Sequence, residues 1–247
     1  MKVLILGANG YMGPHVVRKL APAHQLRITD IRPAPEEIVN EFPKQEFMDV
    51  DVTSVEQVRS AARGMDAIIN LSVVRQDPIL AFHVNTLGCL HVMRTAVEFG
   101  IRRVINTGPH FAVAGPSYEQ MDYRISPDIP PHPGIGLYPL SKSLGQEICR
   151  TYANQHDIQV LELLFYSLRD RHELEPGTGG VPFLIEWEDA AEAFRLALEV
   201  DSKELPSRCE VFFVFGDIPQ MKFSNKKAKE LLGFKPRQDV SAPWKRG

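Results

Sequence analysis

The sequence predicts an α/β fold, a doubly wound parallel sheet with helices on both faces and a small C-terminal cap for a substrate. Three observations predict it. The first apolar run, Lys2–Leu6, ends on a glycine-rich turn. The second, Leu26–Asp30, ends on an acid. Strand-like and helix-like segments then alternate as far as Phe165. Such alternation builds βαβ units, and their right-handed crossovers place helices on both sheet faces.

The elements follow in order. Lys2–Leu6 is a strand closed by Gly7, and Tyr11–Leu20 carries apolar residues at helical spacing. Leu26–Asp30 is the second strand, and a third is expected just before Asp51. Val55–Ala62 reads as a helix, Ala67–Leu71 as a strand, Ile79–Phe99 as a long helix and Arg103–Asn106 as a strand. Ser141–Gln155 is a helix charged on one face, and Val160–Phe165 is a strand. Between Asn106 and Tyr138 the chain is rich in Pro, Gly and His and shows no sustained period; an irregular stretch of that length is expected to be functional. Beyond Phe165, Glu188–Val200 reads as a helix, Val211–Val214 as a strand and Asn225–Leu232 as a helix. The chain is expected to be one domain, with a nucleotide-binding core over residues 1–165 and the cap over 166–247.

The 247 residues suffice to bury a core without staples. A net charge of −3, with the basic residues dispersed, gives no footprint for nucleic acid or an anionic membrane. Cys89, Cys149 and Cys209 are an odd number, far apart and without a CxxC pair, which excludes a disulfide framework and fits reduced thiols in a cytoplasmic protein. The opening MKVLILG runs straight into a strand, so no secretory leader is expected, and no apolar run is long enough to span a membrane.

Gly7-Ala8-Asn9-Gly10-Tyr11-Met12-Gly13 joins the first strand to the first helix. Gly7 permits the tight turn, Gly10 lets backbone approach a pyrophosphate, and Gly13 lets the helix pack close to the strand. The helix N-terminus supplies free N–H groups and a positive dipole end. In this context the motif specifies a Rossmann-type dinucleotide site. Asp30 would hold the adenosine ribose hydroxyls and repel a 2′-phosphate by about 4 kcal/mol at ~4 Å and an effective dielectric of 20, which favours NAD over NADP. Arg32 could soften that preference. Asp51, followed by Val52, either reaches the adenine amino group or caps the next helix.

Tyr138-Pro139-Leu140-Ser141-Lys142 is a YxxxK motif, and residues four apart share a helix face. A nearby ammonium can lower a phenol enough to let Tyr138 act as a base near pH 7. Lys142 would also hold the nicotinamide ribose. His110 and His132 lie in the irregular loop without a third ligand at suitable spacing, so no metal is expected. His83 and His91, two turns apart, are expected to pack.

These residues together resemble the extended short-chain dehydrogenase/reductase family, the NAD-dependent epimerase/dehydratase group. The resemblance covers most of the chain. It rests on the three glycines, Asp30, Asp51-Val52, Asn70-Leu71-Ser72, Asn85, the Tyr138/Lys142 pair, Glu188 through Ala193 and Asn225 through Pro236. It implies hydride transfer at a carbinol carbon with Tyr138 as acid/base. It implies a cofactor set of Gly7, Asn9, Gly10, Tyr11, Met12, Gly13, Asp30, Ile31, Arg32, Asp51, Val52, Leu71, Ser72, Val73, Asn85, Tyr138 and Lys142. His110 and Ser167 are the implied substrate contacts. A homodimer is implied through a four-helix interface of Ile79–Phe99 and Ser141–Gln155.

The short length and Thr107-Gly108-Pro109-His110 look most like the uronate dehydrogenases, which oxidise a sugar acid. Two positions depart from the family. Its catalytic serine should fall at Gly108 or Pro109, which leaves Thr107 as the nearest hydroxyl and His110 as the alternative donor. The carboxylate-gripping arginine of uronate dehydrogenases should fall at Leu164, which leaves Arg75, Arg169 and Arg171 as substitutes. The expected activity is NAD-dependent oxidation or reduction of a small sugar or sugar acid. A sugar epimerase or dehydratase, and an NAD-binding sensor of little activity, are the alternatives.

Overall fold

The computed structural model describes residues 1–218 and 220–245. Its centre is a seven-stranded sheet in the order β3-β2-β1-β4-β5-β6-β9, parallel at every pairing. The strands are β1 (Lys2–Leu6), β2 (Gln25–Asp30), β3 (Glu46–Asp49), β4 (Ala67–Asn70), β5 (Arg103–Pro109), β6 (Gln159–Phe165) and β9 (Cys209–Phe213). A parallel pair, β7 (Ser167–Arg169) and β8 (Leu184–Glu186), forms a separate small sheet. The helices are α1 (Gly13–Leu20), α2 (Glu36–Glu41), α3 (Val55–Ala62), α4 (Pro78–Ala81), α5 (Gly88–Phe99), α6 (Pro116–Met121), α7 (Leu137–Gln155), α8 (Trp187–Glu199) and α9 (Lys226–Leu232).

Strand alternation builds two cores. On β1, Val3 and Ile5 face a core shared with Val16 and Val17 of α1 and Phe194 of α8. Leu4 and Leu6 face the other, shared with Val58 of α3, Met93 of α5 and Cys149 of α7. A side-chain period of two therefore buries both faces, as parallel sheets require. The strand order reverses between β1 and β4, and a crevice opens there beyond the carboxyl ends of the strands.

Several boundaries differ from those the sequence predicts. The helix expected at Ser141 starts at Leu137, which puts Tyr138 in its first turn. The long helix expected over Ile79–Phe99 is α4 and α5 joined by a π-helical segment, Phe82–Leu87, and Asn85 lies in that segment. Such segments are frequent at functional sites. The irregular stretch holds α6 and two isolated bridges, Ala114 to His132 and Ile125 to Phe223. The strand at 209–213 pairs with β6, so the C-terminal third completes the central sheet as well as capping it. A third cluster, with Phe183, Phe213, Phe215 and Phe223, seals that cap. His91 packs, its Nδ1 2.9 Å from the Val52 carbonyl, but His83 is exposed because its helix face turns to solvent. The three thiols are free, and no described helix is long and apolar enough to cross a membrane.

The glycine loop separates fold from ligand. Gly7 sits at φ +77°, and a Cβ there would stand 2.7 Å from the Ser72 nitrogen. A Cβ on Gly13 would stand 1.8 Å from the Ala8 carbonyl oxygen. At Gly10 a Cβ would meet only the Gly7 oxygen, at 3.4 Å. Gly13→Ala is therefore expected to destabilise the protein by roughly 1–3 kcal/mol or more, read as a lowered Tm. Gly10→Val is expected to keep the wild-type Tm and lose NAD binding in calorimetric titration. A stable variant that binds NAD normally would overturn the loop's assignment.

Candidate active site

At the carboxyl end of β2, on one edge of the crevice, Asp30 organises the loops that follow β1 and β2. Its Oδ2 accepts from the Asn9 backbone N–H at 3.0 Å, and its Oδ1 from the Arg32 N–H at 3.2 Å. Asn9 spends its side chain on the Arg32 and Pro33 carbonyls, at 2.7 and 2.9 Å, which pins the turn after β2. Arg32 itself is exposed, with Nε 3.9 Å from Asp30. Tyr11 and Ile31 leave apolar surface open on either side, 82% and 65% exposed. The N-terminus of α1 has no side-chain cap and no acid in its first turn. An uncapped helix start, a glycine without steric need of its own and a poised carboxylate fit a dinucleotide. Asp51 accepts from the Thr53 N–H and hydroxyl, both at 2.8 Å, and Ser54 rather than Asp51 caps α3. Val52 and Leu71 are buried and Val73 half-buried along the same edge.

Tyr138 opens α7 half-buried, and Lys142 one turn on is 2% exposed. The Lys142 Nζ donates to the Ser72 carbonyl at 2.9 Å and the Thr107 carbonyl at 3.0 Å. Burial pushes this ammonium below its ordinary value, with Cys89 and Glu162 opposing. Beneath it runs a buried polar row. Glu162 accepts from Asn106 Nδ2 at 2.9 Å, Asn106 Oδ1 accepts from Asn70 Nδ2 at 2.9 Å, and Asn70 Oδ1 accepts from the Ser72 N–H at 3.2 Å. Burial pushes the Glu162 carboxyl up to about 7. The sequence offered no sign of this row: in Leu161-Glu162-Leu163 the acid reads as the polar half of an alternating strand.

Two expected contacts have other tasks. The Thr107 hydroxyl donates to the Asn70 carbonyl at 3.0 Å, so its proton is committed between strands. Asn85 is fully buried; it donates to the Val74 carbonyl at 2.8 Å and Ser141 Oγ at 3.0 Å and accepts from the Val74 N–H at 3.1 Å. It fastens the 72–74 loop to α7.

A cavity of about 880 Å³ opens in front of Tyr138. Aromatic rings wall it: Phe111, Tyr166, Phe183 and Phe223. His110 lines it too, 4% exposed, with Nε2 2.9 Å from Glu119 Oε1 and its ring stacked on Phe183. The His110 Nδ1 has no partner among the described residues. Glu119 is held below the usual carboxylate range, first by that histidine. Arg75 lines the cavity, whereas Arg169 and Arg171 do not, and Ser167 is replaced there by Tyr166. Ser167 lies in β7, where its N–H donates to the Phe183 carbonyl. Tyr166, Phe183 and Phe223 were not expected, because apolar residues in a cap look the same whether they face a core or a cavity; Lys222, which also lines the cavity, was not expected either. Among the described residues no three His, Cys, Asp or Glu side chains form a metal-binding group.

The comparisons agree with this geometry. The model of the NAD dependent epimerase/dehydratase family matches residues 3–169. The NAD-dependent glucose-6-phosphate dehydrogenase of Haloferax volcanii is 26% identical over 259 residues, covering 98% of this chain and 95% of that protein. The uronate dehydrogenase of Pseudomonas syringae is 26% identical over 167 residues, covering 66% and 58%. Among solved structures, uronate dehydrogenase from Agrobacterium tumefaciens superposes with a TM-score of 0.77 at 21% identity, covering 96% of this chain and 84% of that one. The sheet order, the crevice at its switch point and the Tyr138/Lys142 pair are thus accounted for together: the chain belongs to the NAD dependent epimerase/dehydratase family, a family of enzymes that use NAD.

Proposed function

We propose that the protein is an NAD-dependent oxidoreductase acting at a hydroxyl-bearing carbon of a small sugar or sugar acid, with Tyr138 as acid/base. The observation that carries this reading is the Tyr138 phenol lining the cavity, with Lys142 sealed one turn below it. NAD supplies the hydride acceptor or donor when bound. Tyr138 exchanges one proton with the substrate oxygen. His110, which lines the cavity, takes the place of the missing serine, because the Thr107 hydroxyl is committed to the Asn70 carbonyl. A relative that matches almost end to end is named a sugar-phosphate dehydrogenase, and another a uronate dehydrogenase, which supports a free sugar derivative as substrate.

The same reading includes a homodimer. Ile79 and Leu80 of α4, Leu87 beside them, and Leu140 and Leu144 of α7 are all exposed on helices that pack together. A second copy would cover this apolar surface, which water otherwise wets at a cost of ~25 cal/mol per Å². Sedimentation at micromolar concentration is expected to give a dimer, and a clean monomer would exclude it.

Cofactor choice follows from Asp30. Isothermal titration is expected to show NAD binding tighter than NADP by about tenfold or more. Equal affinities would transfer the decisive role to Arg32.

Tyr138→Phe keeps the ring and removes the proton path. Turnover on a sugar or sugar-acid substrate is expected to fall by about 10²–10⁴-fold, with NAD affinity little changed. NADH accumulating in bulk during wild-type turnover would separate a dehydrogenase from an epimerase, which reoxidises its cofactor internally. Full activity in the phenylalanine variant would refute the mechanism.

A further inference from the structure

We propose that Arg75 is a positioning residue for Tyr138, its guanidinium standing over the phenol ring and favouring the proton-accepting, anionic form of its oxygen. This rests on the reading of Tyr138 as acid/base.

The helical spacing of YxxxK directs attention to Lys142 as the cation that activates the phenol. The structure distributes the charges differently. Lys142 is sealed and spends two protons on backbone carbonyls. Arg75, in the loop after β4, places its guanidinium carbon 5.8 Å from the Tyr138 ring centroid and lines the same cavity. Guanidinium groups favour the face of an aromatic ring at such a distance. Phe111 meets the Tyr138 ring edge-on at 6.0 Å and limits its freedom.

The other charged groups around the phenol are already engaged. His110 and Glu119 pair with each other across the cavity. Lys222 donates to the Glu119 and Asp122 carbonyls and stands over the Tyr123 ring. Arg75 pairs with no carboxylate among the described residues. Burial pushes the Tyr138 phenol above its ordinary value, and Arg75 opposes that rise. Arg75 is therefore the cavity-lining cation that stands over the Tyr138 ring.

In the oxidative direction the ionised phenol oxygen takes the substrate's hydroxyl proton. The Tyr138 O–H forms as the substrate O–H breaks. A cation over the ring favours the form that can accept that proton. Removing the cation must move the phenol's titration to higher pH, because the protonated form alone is then unpenalised.

Ultraviolet difference titration tests this without substrate or cofactor. Subtracting the spectrum of Tyr138→Phe from that of the parent protein isolates the Tyr138 phenolate. Arg75→Met is expected to shift its midpoint upward by about one pH unit, and Arg75→Lys to restore most of the shift. The pH profile of kcat with NAD and a turned-over sugar should move in the same direction, with Arg75→Lys again partly rescuing it. Coincident titration curves for the parent and Arg75→Met would overturn the proposal. So would a variant that only raises KM, since Arg75 would then bind substrate instead. If Tyr138→Phe kept full turnover, the acid/base reading itself would fall, a result distinct from either outcome for Arg75.

Discussion

The buried ammonium of Lys142 is the constraint on which the site depends. A cation 2% exposed is tolerated only with strong acceptors, and here they are the carbonyls of Ser72 and Thr107. Those carbonyls lie just past the end of β4 and near the end of β5. One side chain of α7 therefore ties the carboxyl ends of two central strands together. The tie fixes where α7 begins, and hence where Tyr138 stands in the crevice. The Glu162–Asn106–Asn70 row lies below and completes the polar environment of this otherwise apolar sheet.

A second set of contacts holds the same region from the other side. Asn85 projects from the π-helical segment and joins the 72–74 loop to Ser141 of α7. Thr86 adds a bond from its hydroxyl to the Ser141 carbonyl at 2.9 Å. A Cβ on Gly145 would sit 2.4 Å from the Asn85 carbonyl oxygen, so the two helices approach closely where the site is built. Precise placement of Tyr138 is thus a consequence of helix packing, and the 72–74 loop is held from the same side.

The cavity has a different character from the edge around the glycine loop and Asp30. Backbone groups and Asp30 dominate the edge, which suits phosphates and ribose hydroxyls. Rings dominate the cavity, with a few polar groups directed into it. Such a site orients a substrate by few hydrogen bonds and broad apolar contact. Aromatic faces pack against the C–H surfaces of a sugar ring as well as against other apolar groups, so this wall is compatible with a carbohydrate.

The sequence by itself determined the fold and the turns at the carboxyl ends of the first strands. Strand-ending glycines, an acid closing the second strand and alternating periods are local signals, because each depends on a few consecutive residues. The tight packing of Gly7 and Gly13 was legible for that reason. What only the tertiary structure decided depends on residues far apart in the chain. The Thr107 hydroxyl donates to the Asn70 carbonyl, Asn85 fastens the 72–74 loop to α7, and Tyr166 rather than Ser167 lines the cavity. Arg75 meets Tyr138 across 63 positions, and Glu162 meets Asn106 across 56. A hydrogen bond or an ion–ring contact forms by distance in space, and no local pattern of residues encodes which distant partner a polar side chain will meet.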